Sequence, residues 1–514
     1  MAEWLKDAVF YEIYPQSFYD TNGDGIGDFE GIISKLDYIK DLGCNAIWMN
    51  PCFDSPFKDA GYDVRDYRKA AERYGSNEDL YRLFDEAHKR GMHVILDLVA
   101  GHTSEEHEWF KRSCLDEKNE YSDRYIWTDF WLSSAPGHLW IGGECERNGT
   151  YMLNFFKCQP ALNYGFHEPK AAWQQGMDDP GPTATREAMT DVMRFWLSHG
   201  ADGFRVDMAD SLVKDDDEKK SSTCETWRRM FSVIRKEFPE AAFVSEWGNP
   251  GLAIGSAGFD MDFLLDHAGR GYKTLMRDEE GGKDRSYFKK DAGGDIRRFL
   301  TDYLKCLEET EGKGYISLIS CNHDTPRAKA TLTDEELKLA YAFIFTMPGV
   351  PFLYYGDEIG MRYIAGLKTK EGGYTRTGTR TPMQWSEGKN KGFSDADVDM
   401  LYLPVDASEG APSVEKQEKD ADSLLNTLKA VLRLRHEHKE LRAEGGFEVI
   451  CDGADSPFVY GREGLILAVN PSSKNLAADT GRVLKEKIFS IGSASAEGGR
   501  IVMGAGSFAV YRQA

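Results

Sequence analysis

The chain has 514 residues, of which 12% are aromatic and 29% are charged, and its formal net charge is −22. This length predicts two or three domains with one large hydrophobic core. The negative charge argues against polyanionic partners, so neither nucleic acid nor an anionic membrane surface is expected to bind.

The sequence contains no recognisable targeting or membrane-spanning segment. Residues 1–7 lack a basic stretch followed by an apolar one, so no signal peptide is expected. The longest apolar stretch, 340–355, is interrupted by Pro348 and Pro351 and is too short to span a bilayer. The nine cysteines form no CxxC pair, which predicts neither a disulfide framework nor a zinc ribbon. We therefore expect a reduced, cytoplasmic enzyme.

Short apolar runs alternate with amphipathic helical patterns through most of the chain. Eight runs are predicted as buried parallel strands: 9–18, 46–51, 93–99, 203–207, 243–246, 259–263, 315–321 and 350–355. Helices are predicted at 29–42, 77–90, 186–199, 224–237 and 333–346. Eight strands alternating with helices predict an α/β fold, the (β/α)8 TIM barrel.

The uneven spacing of the strands predicts three domains. The barrel is expected to comprise residues 1–102 and 171–441, closed by a helix over 423–441. Residues 103–170 separate strands 3 and 4 by far more than one helix needs, which predicts an inserted subdomain. In residues 442–514, short alternating segments predict a C-terminal β-sandwich; these are 447–451, 458–460, 465–469, 500–502 and 508–512.

Three carboxylates, Asp207, Glu246 and Asp324, stand at the ends of predicted strands, which meet at one rim of a barrel. A single such carboxylate would more often be structural, but three in one aromatic cleft suit the cleavage of a glycosidic bond. An ionised carboxylate attacks the anomeric carbon while a protonated one serves the leaving group. Arg205, on the strand face of Asp207, is expected to keep Asp207 ionised. Glu246 has no basic neighbour in sequence and is expected to keep its proton.

Four motifs resemble the conserved regions of glycoside hydrolase family 13, the α-amylase family, in the same order. They are 97–102 (Asp-Leu-Val-Ala-Gly-His), 203–207 (Gly-Phe-Arg-Val-Asp), 245–247 (Ser-Glu-Trp) and 322–324 (Asn-His-Asp). The resemblance covers essentially the whole chain. It implies that Asp207 is the nucleophile, Glu246 the acid/base and Asp324 the stabiliser of the transition state.

The same resemblance implies a set of substrate-binding side chains: Asp59, Tyr62, His102, Arg205, His323 and Arg376. Residues 59–63 resemble the segment whose tyrosine, here Tyr62, stacks under the sugar at subsite −1. Residues 376–385 resemble the oligo-1,6-glucosidase and α-glucosidase pattern that supplies an arginine, here Arg376 rather than Arg380. An Asp59–Arg376 pair would block the far end of the pocket and favour cleavage from non-reducing ends.

Oxygen-bearing residues alternate after the first predicted strand, at Asp20, Asn22, Asp24, Ile26 (through its carbonyl) and Asp28. This spacing is typical of a Ca²⁺ loop, although it is not a complete EF-hand because Gly31 occupies the twelfth position. The alternative is an ordinary Asp/Gly turn. The family resemblance implies a structural Ca²⁺ or Mg²⁺ with no part in the chemistry, and no organic cofactor is expected.

Three departures from the oligo-1,6-glucosidase pattern, Ala161, Met208 and Thr377, leave the linkage preference and the exo or endo mode open. The leading hypothesis is a retaining glycoside hydrolase acting on α-glucosidic bonds of malto- or isomalto-oligosaccharides, monomeric or weakly self-associating. A transglycosylase or isomerase such as a trehalose synthase, and an endo-acting α-amylase, remain alternatives. The non-catalytic barrels of amino-acid transporter subunits carry a transmembrane helix and lack the full catalytic set, so a scaffold role is disfavoured.

Overall fold

The computed structural model describes residues 1–265, 270–279 and 282–514, and it contains a closed parallel barrel. Each barrel strand pairs in parallel with its neighbours, and a bridge between Ile319 and Phe352 joins the seventh strand segment to the eighth strand. The barrel strands are Phe10–Ile13, Ala46–Met49, His93–Val99, Gly203–Asp207, Ala242–Ser245, Met261–Phe263, Tyr315–Ser317 and Phe352–Tyr354. The predicted (β/α)8 barrel is therefore confirmed.

Most of these strands are shorter than predicted, because the chain turns away at the rim. The first ends at Ile13, two residues before Pro15, which cannot donate a ladder hydrogen bond. The third and fourth strands are His93–Val99 and Gly203–Asp207, as predicted. Asp97 pairs with Arg205 across them, so both side chains project on the same face of the sheet.

The long helices surround the barrel, and their bounds differ from the prediction at several points. The predicted helix 29–42 is two helices that meet at Lys35, and the predicted helix 186–199 begins earlier, at Pro180, where proline suits the first turn. The helix Ile296–Glu309 was not predicted. The helices of the barrel layer are Phe29–Ser34, Leu36–Leu42, Asn77–Lys89, Pro180–Ser198, Ser221–Glu237, Ile296–Glu309, Asp334–Thr346 and Leu424–Glu437.

Below the rim, the barrel interior is filled by aromatic rings. Phe352 stacks on Phe10 with ring centroids 4.3 Å apart and meets the edge of Phe263 at 4.9 Å. Trp48 stacks on Phe263 and donates from its indole nitrogen to Asp97 at 3.2 Å. This contact links the apolar layer to the polar layer above it, where the site lies.

Two irregular segments rise from the rim near this polar layer. The strands Phe53–Asp54 and Asp66–Ala70 pair antiparallel and enclose the segment that carries Asp59 and Tyr62. Within the predicted insert 103–170, the helix Glu108–Ser113 precedes an antiparallel hairpin of Leu139–Gly142 and Thr150–Leu153. A small separate core supports this insert; its buried members are Ile126, Met152, Ala161 and Phe166.

The C-terminal part folds into two antiparallel sheets, as predicted for a β-sandwich. The five-stranded sheet contains Glu448–Cys451, Phe458–Arg462, Leu465–Asn470, Leu484–Ile491 and Ser507–Gln513, and the three-stranded sheet contains Leu476–Asp479, Ala494–Glu497 and Arg500–Met503. Three of these strands, beginning at Leu476, Leu484 and Ala494, were missed because lysine, glutamate or small residues dilute their apolar alternation. In the described residues we find no helix with the length and apolarity needed to cross a membrane.

Candidate active site

A cavity of about 340 Å³ opens at the carboxyl ends of the barrel strands and gathers the predicted residues. Its lining consists of Asp59, Tyr62, His102, Phe155, Asp207, Met208, Asp210, Glu246, Trp247, Leu265, Asp324 and Arg376. Arg205 and His323 are buried just beneath it, with exposures of 1% and 0%. A larger cavity of about 580 Å³, between residues 287–296 and the C-terminal sheets, contains none of the predicted site residues.

One buried guanidinium, that of Arg205, holds three carboxylates of the site. Its Nη1 donates to Asp97 at 2.8 Å and to Asp207 at 3.1 Å, and its Nη2 lies 2.7 Å from Glu246. Glu246, which has no basic neighbour in the sequence, therefore has one in the fold. The two carboxylates expected to carry the chemistry are positioned by two nitrogens of a single rigid group.

The charge balance at Asp207 differs from the expectation that Arg205 alone would fix it as an anion. Burial, and next the adjacent Glu246 carboxylate, raise the pKa of Asp207 well above its usual value, and the pull of Arg205 only partly opposes them. Like charges crowded into a buried site cannot all ionise easily. The ionisation of Asp207 is therefore linked to that of its neighbours in this buried cluster.

The backbone around Glu246 is held by Asp262, a residue that the sequence reasoning missed. Asp262 lies on the sixth barrel strand, and its Oδ1 accepts from the Ser245 hydroxyl at 2.6 Å and from the Trp247 and Gly248 amides at 3.2 and 3.4 Å. Burial raises the pKa of Asp262 to about 7 despite these donors. Its position within the predicted strand 259–263 was the available sequence signal.

Met208 supplies a second contact to the acid through its main chain. It adopts a left-handed conformation with φ of 41°, which is rare for a side chain with a Cβ. Its amide then donates to Oε2 of Glu246 at 3.1 Å. Met208, one of the three residues that depart from the oligo-1,6-glucosidase pattern, thus lies in the site and contacts the predicted acid through backbone atoms.

His323 lies between two carboxylates and the ring of Tyr62. Its Nδ1 contacts Glu12 at 2.8 Å, and its Nε2 contacts the Tyr62 hydroxyl at 2.6 Å and Asp324 at 3.4 Å. Burial lowers the pKa of His323, but Asp324 and Glu12 outweigh that effect and raise it to about 9. His323 is therefore a cation that donates from both nitrogens and fixes the orientation of Tyr62. Glu12 was not identified from the sequence.

His102 is held in the opposite protonation state. Its Nε2 donates to the carbonyl of Tyr62 at 3.1 Å, and its Nδ1 accepts from the amide of Asn154 at 3.0 Å. Burial lowers the pKa of His102 to about 3, so the ring is neutral. Its predicted hydrogen bond to a sugar stays a prediction, because both ring nitrogens already have partners in the protein.

The far end of the cavity contains the predicted pair of Asp59 and Arg376. Nη2 of Arg376 lies 3.5 Å from Oδ1 of Asp59, and its Nη1 lies 3.0 Å from Asp324. Gln159 donates to the other oxygen of Asp59 at 2.7 Å, and burial raises the pKa of Asp59 to about 6. Arg380, 2% exposed, also contacts Asp324, at 2.7 Å, but it does not line the cavity.

These cations determine the protonation of Asp324. Burial alone would raise its pKa, but His323, Arg380 and Arg376 together hold the pKa well below the usual value. Asp324 is therefore an anion throughout the neutral range. Of the three predicted catalytic carboxylates, it is the one most strongly fixed as a charged group.

In the predicted metal loop, most side-chain oxygens accept hydrogen bonds from nearby backbone amides. Asp20 accepts amides of Asn22, Gly23 and Gly25, and Asn22 and Asp24 each accept the amide two residues on. Asp28 caps the helix Phe29–Ser34 by accepting the Gly31 amide at 2.6 Å. Across the described ranges no three His, Cys, Asp or Glu side chains converge as a metal site. A cation here would depend on Asn22 and the Ile26 carbonyl as well as on carboxylates.

Three carboxylates around one cavity at the rim of a closed parallel barrel define a glycoside hydrolase. A family model described as "Alpha amylase, catalytic domain" matches residues 12–444. The chain therefore belongs to the α-amylase family, glycoside hydrolase family 13.

Individual relatives cover nearly the whole chain. A probable oligo-1,6-glucosidase 2 of Bacillus subtilis (strain 168) is 32% identical over 93% of this chain and 92% of its own length. A trehalose synthase/amylase of Mycolicibacterium smegmatis is 33% identical over 90% of this chain and 81% of its own length. Among solved structures, the trehalulose synthase of Pseudomonas mesoacidophila MX-45 is similar with a TM-score of 0.83 and 27% identity, covering both chains completely.

Proposed function

We propose that this protein is a retaining α-glucosidase that removes glucose units from the non-reducing ends of short malto- or isomalto-oligosaccharides. The observation that carries this proposal is the ion pair between Asp59 and Arg376 at the far end of the cavity. A charged pair across the pocket end leaves room for one terminal sugar and offers its hydroxyls charge-assisted hydrogen bonds.

In this mechanism the carboxylate of Asp207 attacks the anomeric carbon and forms a covalent glycosyl-enzyme. Glu246 donates its proton to the departing oxygen and then takes a proton from the incoming water. Arg205 holds both groups, and the permanent anion of Asp324 supports the positive charge that develops on the sugar ring.

Isomerisation or glycosyl transfer is the second candidate, because the similar proteins include a trehalose synthase/amylase and a trehalulose synthase. This reaction proceeds through the same glycosyl-enzyme as hydrolysis and differs only in the group that attacks the glycosyl-enzyme. In hydrolysis water attacks, whereas in transfer a sugar hydroxyl that stays in the cavity attacks.

Product analysis on maltose, isomaltose, maltotriose, sucrose and soluble starch separates these candidates. The proposal expects glucose as the first product and a higher kcat/KM for maltotriose than for starch. Trehalose from maltose, or an isomer from sucrose, as the main early product would favour the isomerase. Maltose or longer fragments released early from maltoheptaose blocked at its reducing end would indicate an endo-acting amylase.

The loop of residues 20–28 is proposed to bind one Ca²⁺ or Mg²⁺ through Asp20, Asn22, Asp24, Asp28 and the Ile26 carbonyl. Alternating oxygens and three carboxylates within nine residues support this proposal. The ion would stabilise the loop without touching substrate. Calorimetric titration of the chelator-treated protein should show one ion bound, and chelation should lower Tm more than it lowers activity at moderate temperature. No bound ion and an unchanged Tm would disprove the site.

We further propose that the enzyme is cytoplasmic and is monomeric or weakly self-associating. Its expected partner is an α-glucan oligosaccharide. The cytoplasmic location is supported by the cysteine pattern, an odd number with no CxxC pair, which suits a reducing compartment. Cell fractionation and light scattering test location and oligomeric state. A periplasmic or secreted pool, or a stable higher oligomer, would contradict this part.

A further inference from the structure

Two cysteines far apart in the sequence meet in the inserted segment, away from the carboxylates of the cavity. The Sγ atoms of Cys114 and Cys145 lie 2.6 Å apart, closer than unbonded sulfur atoms pack. Cys114 ends the helix Glu108–Ser113, and Cys145 lies in the turn between the strands Leu139–Gly142 and Thr150–Leu153. Both are partly exposed, so a small oxidant can reach them.

Neighbouring contacts hold the helix end with Cys114 and the turn with Cys145 close together, as a covalent link requires. The amide of Arg147 donates to the carbonyl of Cys114 at 2.9 Å, which fixes the turn against the helix end. The guanidinium of Arg147 packs on the Trp127 ring at 4.8 Å from its centroid. A disulfide forms with little strain only where the two segments are already held close together.

One of the two thiols is the better nucleophile. The hydrogen bond between the two thiols lowers the pKa of Cys145 and raises that of Cys114. Arg147 and Lys157 further favour the Cys145 anion, whereas burial and Glu144 oppose it. The thiolate is the reactive form of cysteine, so we expect Cys145 to react first.

We propose that Cys114 and Cys145 form a reversible redox site that closes to a disulfide on reaction with a low-molecular-weight disulfide. The Cys145 thiolate attacks one sulfur of the oxidant and releases the other half as a thiolate. The Cys114 thiolate then attacks the mixed disulfide at Cys145 and releases the second half. The protein loses two electrons and two protons, and the oxidant becomes two thiols.

A short series of contacts connects the proposed disulfide to the substrate pocket. Glu144, next to Cys145, pairs with Lys157 at 3.0 Å, and Gln159, two residues further, donates to Asp59 at 2.7 Å. Fixing the turn therefore restrains the segment that positions Asp59. Oxidation is expected to change KM for maltotriose about two- to fivefold, with kcat little changed, because it acts on binding of the terminal sugar. This second part rests on the proposed α-glucosidase function, whereas the redox site itself does not.

The chemical part is tested by treating the full-length protein with oxidised glutathione, blocking remaining thiols with N-ethylmaleimide and mapping peptides by mass spectrometry. The proposal expects a cross-linked pair of peptides containing Cys114 and Cys145, a mass loss of about 2 Da and full reversal by dithiothreitol. Cys114→Ser should accumulate glutathione on Cys145, and Cys145→Ser should react much more slowly. Cys451→Ser, which alters another partly exposed thiol, is the control and should cross-link normally. Both thiols alkylated, or glutathione on each without a cross-link, would overturn the proposal.

The functional part is measured on the cross-linked protein once glucose release by the reduced enzyme is established. A KM change that dithiothreitol reverses, and that Cys114→Ser lacks, supports the coupling to Asp59. An unchanged KM with a complete cross-link would contradict it. Failure of the reduced enzyme to release glucose would instead reject the proposed α-glucosidase.

Discussion

Nη2 of Arg376 lies 3.5 Å from Oδ1 of Asp59, and this contact connects the loop after the eighth barrel strand with the loop after the second. Asp59 is 4% exposed, and both residues line the cavity. Under the proposed function, this pair would make the length of the substrate, rather than its linkage, the property that the site selects most directly.

Arg376→Ala should therefore weaken transition-state binding of maltotriose by about 1–3 kcal/mol, roughly 5- to 150-fold in kcat/KM. The loss should be larger for short oligosaccharides than for starch. Arg82→Ala removes exposed ion pairs with Glu30 and Asp79 and is the matched control. An equal, small effect of both substitutions would mean that Arg376 does not bind the terminal sugar.

Asp207→Asn and Glu246→Gln should fail in different ways. Asp207→Asn should abolish turnover of every substrate while retaining the wild-type Tm, because the covalent bond needs a carboxylate. Glu246→Gln should lose about 10²–10⁴-fold on maltose but much less on dinitrophenyl α-glucoside, whose leaving group needs no proton. Equal losses on both substrates would remove Glu246 from the acid role.

Asp262 should act through Glu246 rather than on the substrate. Asp262→Ala removes the acceptor of the Ser245, Trp247 and Gly248 donors and should lower kcat/KM for maltose by about 10²-fold, with a smaller loss on dinitrophenyl α-glucoside. Asp262→Asn keeps an acceptor oxygen and should restore most of the activity. Identical losses in the Ala and Asn variants on both substrates would indicate a general structural role.

Because of the buried pair of Glu12 and His323, the thermal stability of the protein should decrease at alkaline pH. The folded pKa of His323, about 9, lies above the ~6.5 of an unfolded histidine. Protonation thus stabilises the fold fully below pH ~6.5, and this contribution is lost as pH rises through about 9. Glu12→Gln removes one anion and should move the decrease in Tm to lower pH, with Glu86→Gln, at a partly exposed helix position, as the control. The same midpoint in wild type and Glu12→Gln would contradict the assignment.

The barrel and the position of the candidate catalytic carboxylates at its rim were predictable because they depend on local signals. Gly203–Asp207 is an unbroken buried strand that ends in a carboxylate, and strand ends converge whatever their distance in sequence. The strand Leu484–Ile491 was missed because it contains the consecutive charged residues Lys485, Glu486 and Lys487, which interrupt the apolar alternation.

Contacts across the barrel were not predictable. The side chain of Arg205 contacts Glu246, and that of Glu12 contacts His323. The two residues of each pair lie far apart in the sequence. The same holds for Cys114 and Cys145, which no short spacing brings together. Such pairs follow from strand order and loop conformation, which periodicity does not encode.

The stereochemistry of the first-formed product tests the central claim most directly. Time-resolved ¹H NMR of maltotriose hydrolysis by the wild-type enzyme reports the anomer of glucose before mutarotation. The double displacement through Asp207 predicts α-glucose as the first product, with the β-anomer appearing only as mutarotation proceeds. Initial release of β-glucose would show a single displacement by water and would contradict a covalent glycosyl-enzyme on Asp207.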